Sequence, residues 1–188
     1  MLRNAGISDL SFMHKLILIG SQKGHFNPEF NLNQLANESL KKNLRSILND
    51  QKRLDADLKA SAFITEHNGK PIAFMILSKT QGNATEIWMM GTDPQYQGKG
   101  IASSSLDKIL NKFKTNNSVV LAKCHPASEV MLRLLIKKGF EILKTGESGI
   151  SLLAYNFPSP SKKPRSWSRL FKFRIRDFML NNYLFIHY

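Results

Sequence analysis

Apolar positions follow a helical period at the start of the chain, a strand period in its middle, and both again in its second half. Leu10, Met13, Leu16 and Ile17 recur at helical spacing behind Ser8 and Asp9, either of which can cap a helix. Gly20 and Gly24 end that run, and His25-Phe26-Asn27-Pro28 reads as a loop. A second helix is predicted from about Asn33 to Asn49, with Leu35, Leu40, Leu44 and Ile47 facing inward. Residues 51–58 read as a polar connection or a helix end.

The period then shortens. Residues 60–66, 71–79 and 86–92 read as three strands of a meander. Asn68-Gly69 is a strong hairpin signal, and Gln81-Gly82-Asn83 turns the chain again. After Gly100, Leu106, Ile109, Leu110 and Phe113 restore the helical spacing until Asn116-Asn117. Val119 to Ala122 is a short buried-type strand. Pro126 permits a helix start, with Val130, Leu132, Leu134, Leu135 and Ile136 before Gly139. Residues 140–143 and 149–156 form a closing strand pair around Thr145-Gly146-Glu147. The order α-α-β-β-β-α-β-α-β-β is α/β class with a mixed sheet.

Composition adds a charge asymmetry. The 188 residues hold 27 Lys+Arg against 14 Asp+Glu, a net charge of +13. Lys162, Lys163, Arg165, Arg169, Lys172, Arg174 and Arg176 crowd into 158–188 with one acid, Asp177. Such a balance attracts polyanions, and also describes a plain solvated basic surface. The one cysteine, Cys124, excludes an intrachain disulfide and fits a reducing, cytoplasmic compartment. No apolar run approaches the roughly 20 residues that span a bilayer.

The candidate chemistry lies between a strand and a helix, at Thr92-Asp93-Pro94-Gln95-Tyr96-Gln97-Gly98-Lys99-Gly100-Ile101-Ala102. Amides in the first turn of a helix lack partners within it, and the helix dipole favours an anion there. Gly98 and Gly100 let backbone approach an oxyanion closely. Small Ala102 keeps clearance, and Lys99 adds a charge or points to solvent. The spacing fits neither a Walker loop nor a dinucleotide fingerprint.

Gln97-Gly98-Lys99-Gly100-Ile101-Ala102 resembles the Gln/Arg-x-x-Gly-x-Gly/Ala motif of the GNAT acetyltransferase superfamily. Asp93-Pro94 ahead of it and Lys137-Lys138-Gly139-Phe140-Glu141 are similar to that family's flanking junctions. The resemblance covers about Leu2 to Asn156. It implies a mixed, mostly antiparallel sheet flanked by helices over residues 1–157, with 158–188 as a basic C-terminal extension. It further implies acetyl-CoA as cosubstrate and an amine, small-molecule or protein-borne, as acceptor. Amides from Gln97 to Ala102 would bind the CoA pyrophosphate. The backbone of Met90, Gly91 and Thr92 would pair with pantetheine, and an amide near Met90 would polarise the thioester carbonyl.

Acyl transfer to an amine needs a base to take its proton. Glu86 is spaced from the motif like the catalytic glutamate of the histone-acetylating branch of the family; otherwise it is an exposed strand-end residue. The usual Asn and Tyr of the later helix fall here at Ser128 and Leu135. Ser128 offers a hydroxyl toward CoA, while Leu135 offers no acid. This departure leaves a second reading, a catalytically impaired acyl-CoA-binding module held at an anionic membrane or partner.

Cys124-His125 ends a strand at the expected cleft, but neighbours in a strand point to opposite faces and make a poor dyad. His25 lies on the loop where this family often shapes its acceptor pocket. His14 and His67 read as surface residues. No His, Cys and acid set has metal-ligand spacing.

The tail reads two ways. Trp167, Leu170, Phe171, Ile175, Phe178 and Met179 share a helical face opposite the basic residues, as in an interfacial helix. Residues 171–176 also alternate as a half-buried strand does. Length favours the helix. The expectation is a segment, 162–188, that holds the chain at an anionic membrane surface. Packing back on the domain, or binding nucleic acid or an acidic partner, uses the same residue types.

Overall fold

The computed structural model describes residues 1–156 apart from Asn83, Asn116 and Asn117. The expected Asn116-Asn117 break, the Pro/Ser linker and the basic tail therefore lie outside the described residues.

The helices are α1 (Leu10–Gln22), α2 (Glu29–Leu32), α3 (Gln34–Asp50), α4 (Ile101–Thr115) and α5 (Glu129–Lys137). The strands are β1 (Leu2–Asn4), β2 (Lys52–Arg53), β3 (Leu58–His67), β4 (Lys70–Lys79), β5 (Thr85–Thr92), β6 (Val120–Cys124), β7 (Glu141–Thr145) and β8 (Ser151–Tyr155). The main sheet runs β1-β3-β4-β5-β6-β8-β7, with β2 paired to β3. Its pairs are antiparallel except for β5 and β6. That is the mixed, mostly antiparallel α/β fold expected.

Two cores share the sheet. On one face Met13, Ile17, Leu40, Leu44 and Ile47 from α1 and α3 pack on Ile64, Phe74, Ile76 and Met89. On the other, Leu106, Ile109 and Leu110 from α4 and Leu135 from α5 pack on Met75, Leu77, Ile87, Val120 and Ala122. The β3–β4 hairpin closes at Asn68 (φ 50°) and Gly69 (φ 73°), a left-handed pair that matches strand twist. β8 inserts between β6 and β7, so the closing pair is joined to the rest through its second strand.

Several expectations change. Leu35 is 74% exposed, although it shares the period of α3. Val130 and Ile136 are exposed too, leaving Leu135 as the buried residue of α5. Helix α1 runs past Gly20, whose missing side chain admits Phe26; a Cβ there would meet the ring at 2.6 Å. Asp9 does not cap α1 with its side chain. Its carboxylate accepts from Arg3 Nη1 and Nη2 at 2.7 and 2.8 Å, and from the Gly6 amide at 2.9 Å. Arg3 holds Asp9 below the ordinary carboxylate range, which ties β1 to the start of α1. Asn33 does cap α3, accepting from the Leu35 and Ala36 amides. His14 is half-buried against Asn37 at 3.2 Å and is not a plain surface residue.

Candidate active site

β5 and β6 pair only from Thr85↔Val120 to Ile87↔Ala122. Beyond that rung β5 continues to Thr92, and a cleft of about 1740 Å³ opens beside it. The cause of the divergence is visible in the register with β4. Leu77 opposes Ile87, but Ile76 opposes Met89, so Trp88 is an extra residue in β5. Trp88 and Met89, though consecutive, both pack on the α1/α3 face, while Ile87 and Met90 pack on the other. Such a bulge bends and twists its strand, here away from β6.

The ladder with β4 also fixes where the β5 backbone points. The Asp93 amide donates to the Ile72 carbonyl at 2.8 Å. Alternate residues of an antiparallel strand direct N–H and C=O the same way. Gly91 and Met89 therefore face β4, whereas Met90 and Thr92 face the cleft. Strand-like pairing with a ligand thus falls to Met90 and Thr92. Gly91, also expected to pair there, lines the cleft with its backbone directed to β4 and makes room, since a Cβ on it would lie 2.6 Å from Phe74 Cε1. Gln97 Nε2 donates to the Thr92 carbonyl at 3.1 Å and braces the strand against the loop.

The loop itself is pinned by Asp93, whose carboxylate accepts from the Gln95 amide at 2.9 Å. Gly98 (φ 74°) and Gly100 (φ 77°) adopt the left-handed conformation, and nothing lies within 4 Å of where a Cβ would stand. Helix α4 follows at Ile101, with Ser104 N to Gly100 O at 2.9 Å as its first such bond. The amides just ahead of Ser104 point out of the helix start. This open, donor-lined hollow fits a pyrophosphate. Gln97, Gly98, Gly100, Ile101 and Ala102 line the cleft; Lys99 does not, and its ammonium lies 5.1 Å from the Tyr96 ring centre.

Glu86 is not exposed at a strand end. It is 4% exposed and lines the cleft on the α1/α3 face. Burial pushes its carboxyl above the ordinary range, and the charges of Lys123 and Arg53 oppose that push. Arg53 Nη1 stands 3.7 Å from Glu86 and 3.3 Å from Ser78 Oγ. The same guanidinium grips Asp55 and lies 4.0 Å over Trp88, while Asn43 Nδ2 donates to Asp55 at 2.7 Å. Lys123 is on the same face, because Ala122 and Cys124 occupy the other core. Burial lowers its ammonium pKa against the pull of Glu86.

Sequence reasoning missed Arg53 and Lys123. Alternation in Val120-Leu121-Ala122-Lys123-Cys124 was signal enough to turn Lys123 away from Ala122. Arg53 gives no such signal, since β2 is two residues long.

Ser128 lines the cleft, but its hydroxyl lies 3.1 Å from His25 Nδ1 and joins the α1–α2 loop to the start of α5. Leu135 is 2% exposed within the second core, so no proton donor stands there. Cys124 and His125 both line the cleft, but Cys124 is buried in the second core with its thiol pushed up to about 11, and as chain neighbours the two side chains diverge. Among the described residues, no three His, Cys, Asp or Glu groups converge as a metal site. Among them too, no helix is long and apolar enough to cross a membrane.

Solved structures of the same fold are known. The PaiA N-acetyltransferase of Thermoplasma acidophilum, in complex with coenzyme A, aligns with a TM-score of 0.63 at 13% identity. The alignment covers 84% of this chain and 98% of that one. An acetyltransferase of the GNAT family from Streptococcus pneumoniae gives 0.62 at 15% identity, covering 82% and 96%. The ribosomal-protein-S18-alanine N-acetyltransferase of Escherichia coli gives 0.58 at 13%, covering 87% and 98%. No curated protein sequence matches the chain significantly. The Acetyltransferase (GNAT) family matches residues 30–140, more than half of the chain. With the bulged strand, the glycine loop and the helix behind it, this chain belongs to the GNAT family of acetyltransferases.

Proposed function

We propose that the chain transfers an acetyl group from acetyl-CoA to a primary amine, with Glu86 as the base. The observation that carries this is one continuous edge: the cleft-facing backbone of Met90 and Thr92 leads into the open glycine hollow ahead of α4. Acetyl-CoA supplies the acetyl group already activated as a thioester.

Each residue then has a task. Ile101 and Ala102 offer amides to the pyrophosphate, and Gly98 and Gly100 keep the approach clear. Thr92 and Met90 present backbone groups along the cleft, and the Met90 amide is placed to polarise a carbonyl. Holding both reactants in one cleft supplies much of the rate. Glu86 accepts the amine proton, directly or through one water. Its raised pKa makes it a stronger base than an exposed glutamate when ionised. Leu135 can give no proton to the departing sulfur, so water is left to do so.

The test incubates the full chain with acetyl-CoA and a panel of amines and follows free thiol. Thiol release that depends on an amine, and falls about 10²–10⁴-fold in Glu86→Gln, supports the reading. Release that no amine stimulates refutes it, and equal rates in the two proteins remove Glu86 from the mechanism.

A further inference from the structure

One guanidinium organises the floor of the acceptor side. Arg53 comes from the two-residue strand β2 and is 2% exposed. Asp55 takes its Nε and Nη2 edge, with Nε donating at 3.1 Å. Its Nη1 donates to Ser78 Oγ at 3.3 Å and stands 3.7 Å from Glu86 Oε2. Its Cζ lies 4.0 Å over the centre of the Trp88 ring. Ser78 opposes Glu86 across β4 and β5, and Glu86 and Trp88 are two apart on the α1/α3 face of β5. The same side chain therefore holds both the residue that bulges β5 open and the carboxylate that faces the cleft.

An enclosed guanidinium must have its charge answered. Asp55 answers it from one edge and is itself fixed from α3: Asn43 Nδ2 donates to it at 2.7 Å, and Asn43 Oδ1 accepts from the Leu54 amide at 2.9 Å. With that edge fixed, the planar fork turns Nη1 toward Glu86 and Ser78. The charged groups that act on Glu86 are Lys123 from β6, Arg53 from β2, and Asp55 behind Arg53. Burial raises its carboxyl, Lys123 and Arg53 work against burial, and Asp55 works with it. Arg53 thus pulls on Glu86 from a fixed place, and Asp55 weakens the pull.

We propose that Arg53 is a positioning residue for the transfer: it aims the Glu86 carboxylate into the cleft and favours its ionised form, while Asp55, sharing the guanidinium, keeps that carboxylate able to accept a proton. The proposal rests on the reading of Glu86 as the base and adds the residues that set its direction and strength. A carboxylate paired with an unshared guanidinium is a weak base. A buried one with no guanidinium keeps its proton to higher pH and cannot take another. The shared guanidinium lies between those limits. Lysine would supply the charge but not the fork that fixes direction.

Two readouts on the full chain test this. One is the acid limb of kcat/KM. The other is the titration of the Glu86 carboxyl carbon, followed by NMR of labelled glutamate and assigned by its loss in Glu86→Gln. Arg53→Met should move both midpoints up by about 1–3 pH units, because an opposite charge at this distance is removed. Asp55→Asn, which keeps the shape of the side chain, should move both down. Arg53→Lys should leave the midpoints near those of the wild type while kcat falls by up to about 10²-fold, the cost of a misplaced base. A residue that only braced the fold would lower rates and leave every midpoint in place, and that result overturns the proposal. So does a midpoint that moves the other way in Arg53→Met or Asp55→Asn. If Arg53→Met does not fold, Asp55→Asn decides by the same criterion. If no amine is acetylated, the carbon titration decides alone. Failure of the underlying reading looks different: the carboxyl carbon would still respond to Arg53 and Asp55, but Glu86→Gln would keep the acid limb of the rate.

Discussion

Replacing Gly100 by glutamate should weaken CoA binding more than 100-fold while leaving a folded protein. Two costs follow from the structure. The first is conformational: at φ 77° any side chain costs about 1–2 kcal/mol. The second is electrostatic. A carboxylate roughly 5 Å from each of two phosphate charges is repelled by 6–7 kcal/mol in all at an effective dielectric near 20. If side-chain freedom relieves half of it, about 3 kcal/mol remains, which is over 100-fold in Kd. Gly100→Ala separates the two costs. It carries the first but not the second, and no atom lies within 4 Å to clash with the added methyl. Thermal melting with and without CoA is the assay. At roughly 100 times its Kd, CoA stabilises the wild type by about 2.7 kcal/mol. For a chain of this size that is an upward shift of about 5–10 °C. Gly100→Ala should melt lower without CoA and keep much of the shift, whereas in Gly100→Glu the shift should fall to about 1 °C. A full shift in Gly100→Glu would mean that the pyrophosphate does not lie at this loop.

The rate should fall with acidity as Glu86 gains its proton. Because burial raises its pKa, the midpoint in kcat/KM should lie above the ordinary value of 4.5, and that limb should vanish in Glu86→Gln. A limb that persists in the mutant assigns it elsewhere. Gly91→Ala should lose about 1–3 kcal/mol in urea unfolding, because its methyl would overlap the buried Phe74 ring. An unchanged midpoint would show that Phe74 swings aside freely. The full chain should co-sediment with anionic but not neutral vesicles, less so at high salt. Serine at Arg169, Lys172, Arg174 and Arg176 should release it, as each basic residue contributes on the order of 1 kcal/mol. Equal sedimentation of both proteins removes the tail from membrane docking.

Local signals were legible in the sequence and long-range ones were not. Asn68-Gly69 dictates its turn by backbone preference alone, and the α4 stripe needs only its own period. The glycine loop was readable because left-handed backbone at Gly98 and Gly100 is a local property. β1 and β2 escaped notice because three and two residues show no alternation; pairing with β3 makes them strands. Leu35 kept the period of α3, yet lies beyond the reach of the sheet. Arg53 and Lys123 looked like surface charges, since nothing nearby in the chain reveals that Glu86 will be buried with them. The His25–Ser128 contact joins residues 103 positions apart, which periodicity cannot foresee.

The extra residue at Trp88 decides what a change of length would do to β5. Trp88 and Met89 share a face, so removing Trp88 would restore plain alternation: Ile87 would still pack toward α4, and Glu86 would still enter the cleft. The ladder with β4 would close without a break, since Ile76 already opposes Met89 and Leu77 already opposes Ile87. What deletion would remove is the bend that carries the strand away from β6, and with it the opening beside Met90. A homologue one residue shorter here would keep its proton acceptor on the same face and lose the open edge, so alignments across this stretch should place the gap at Trp88.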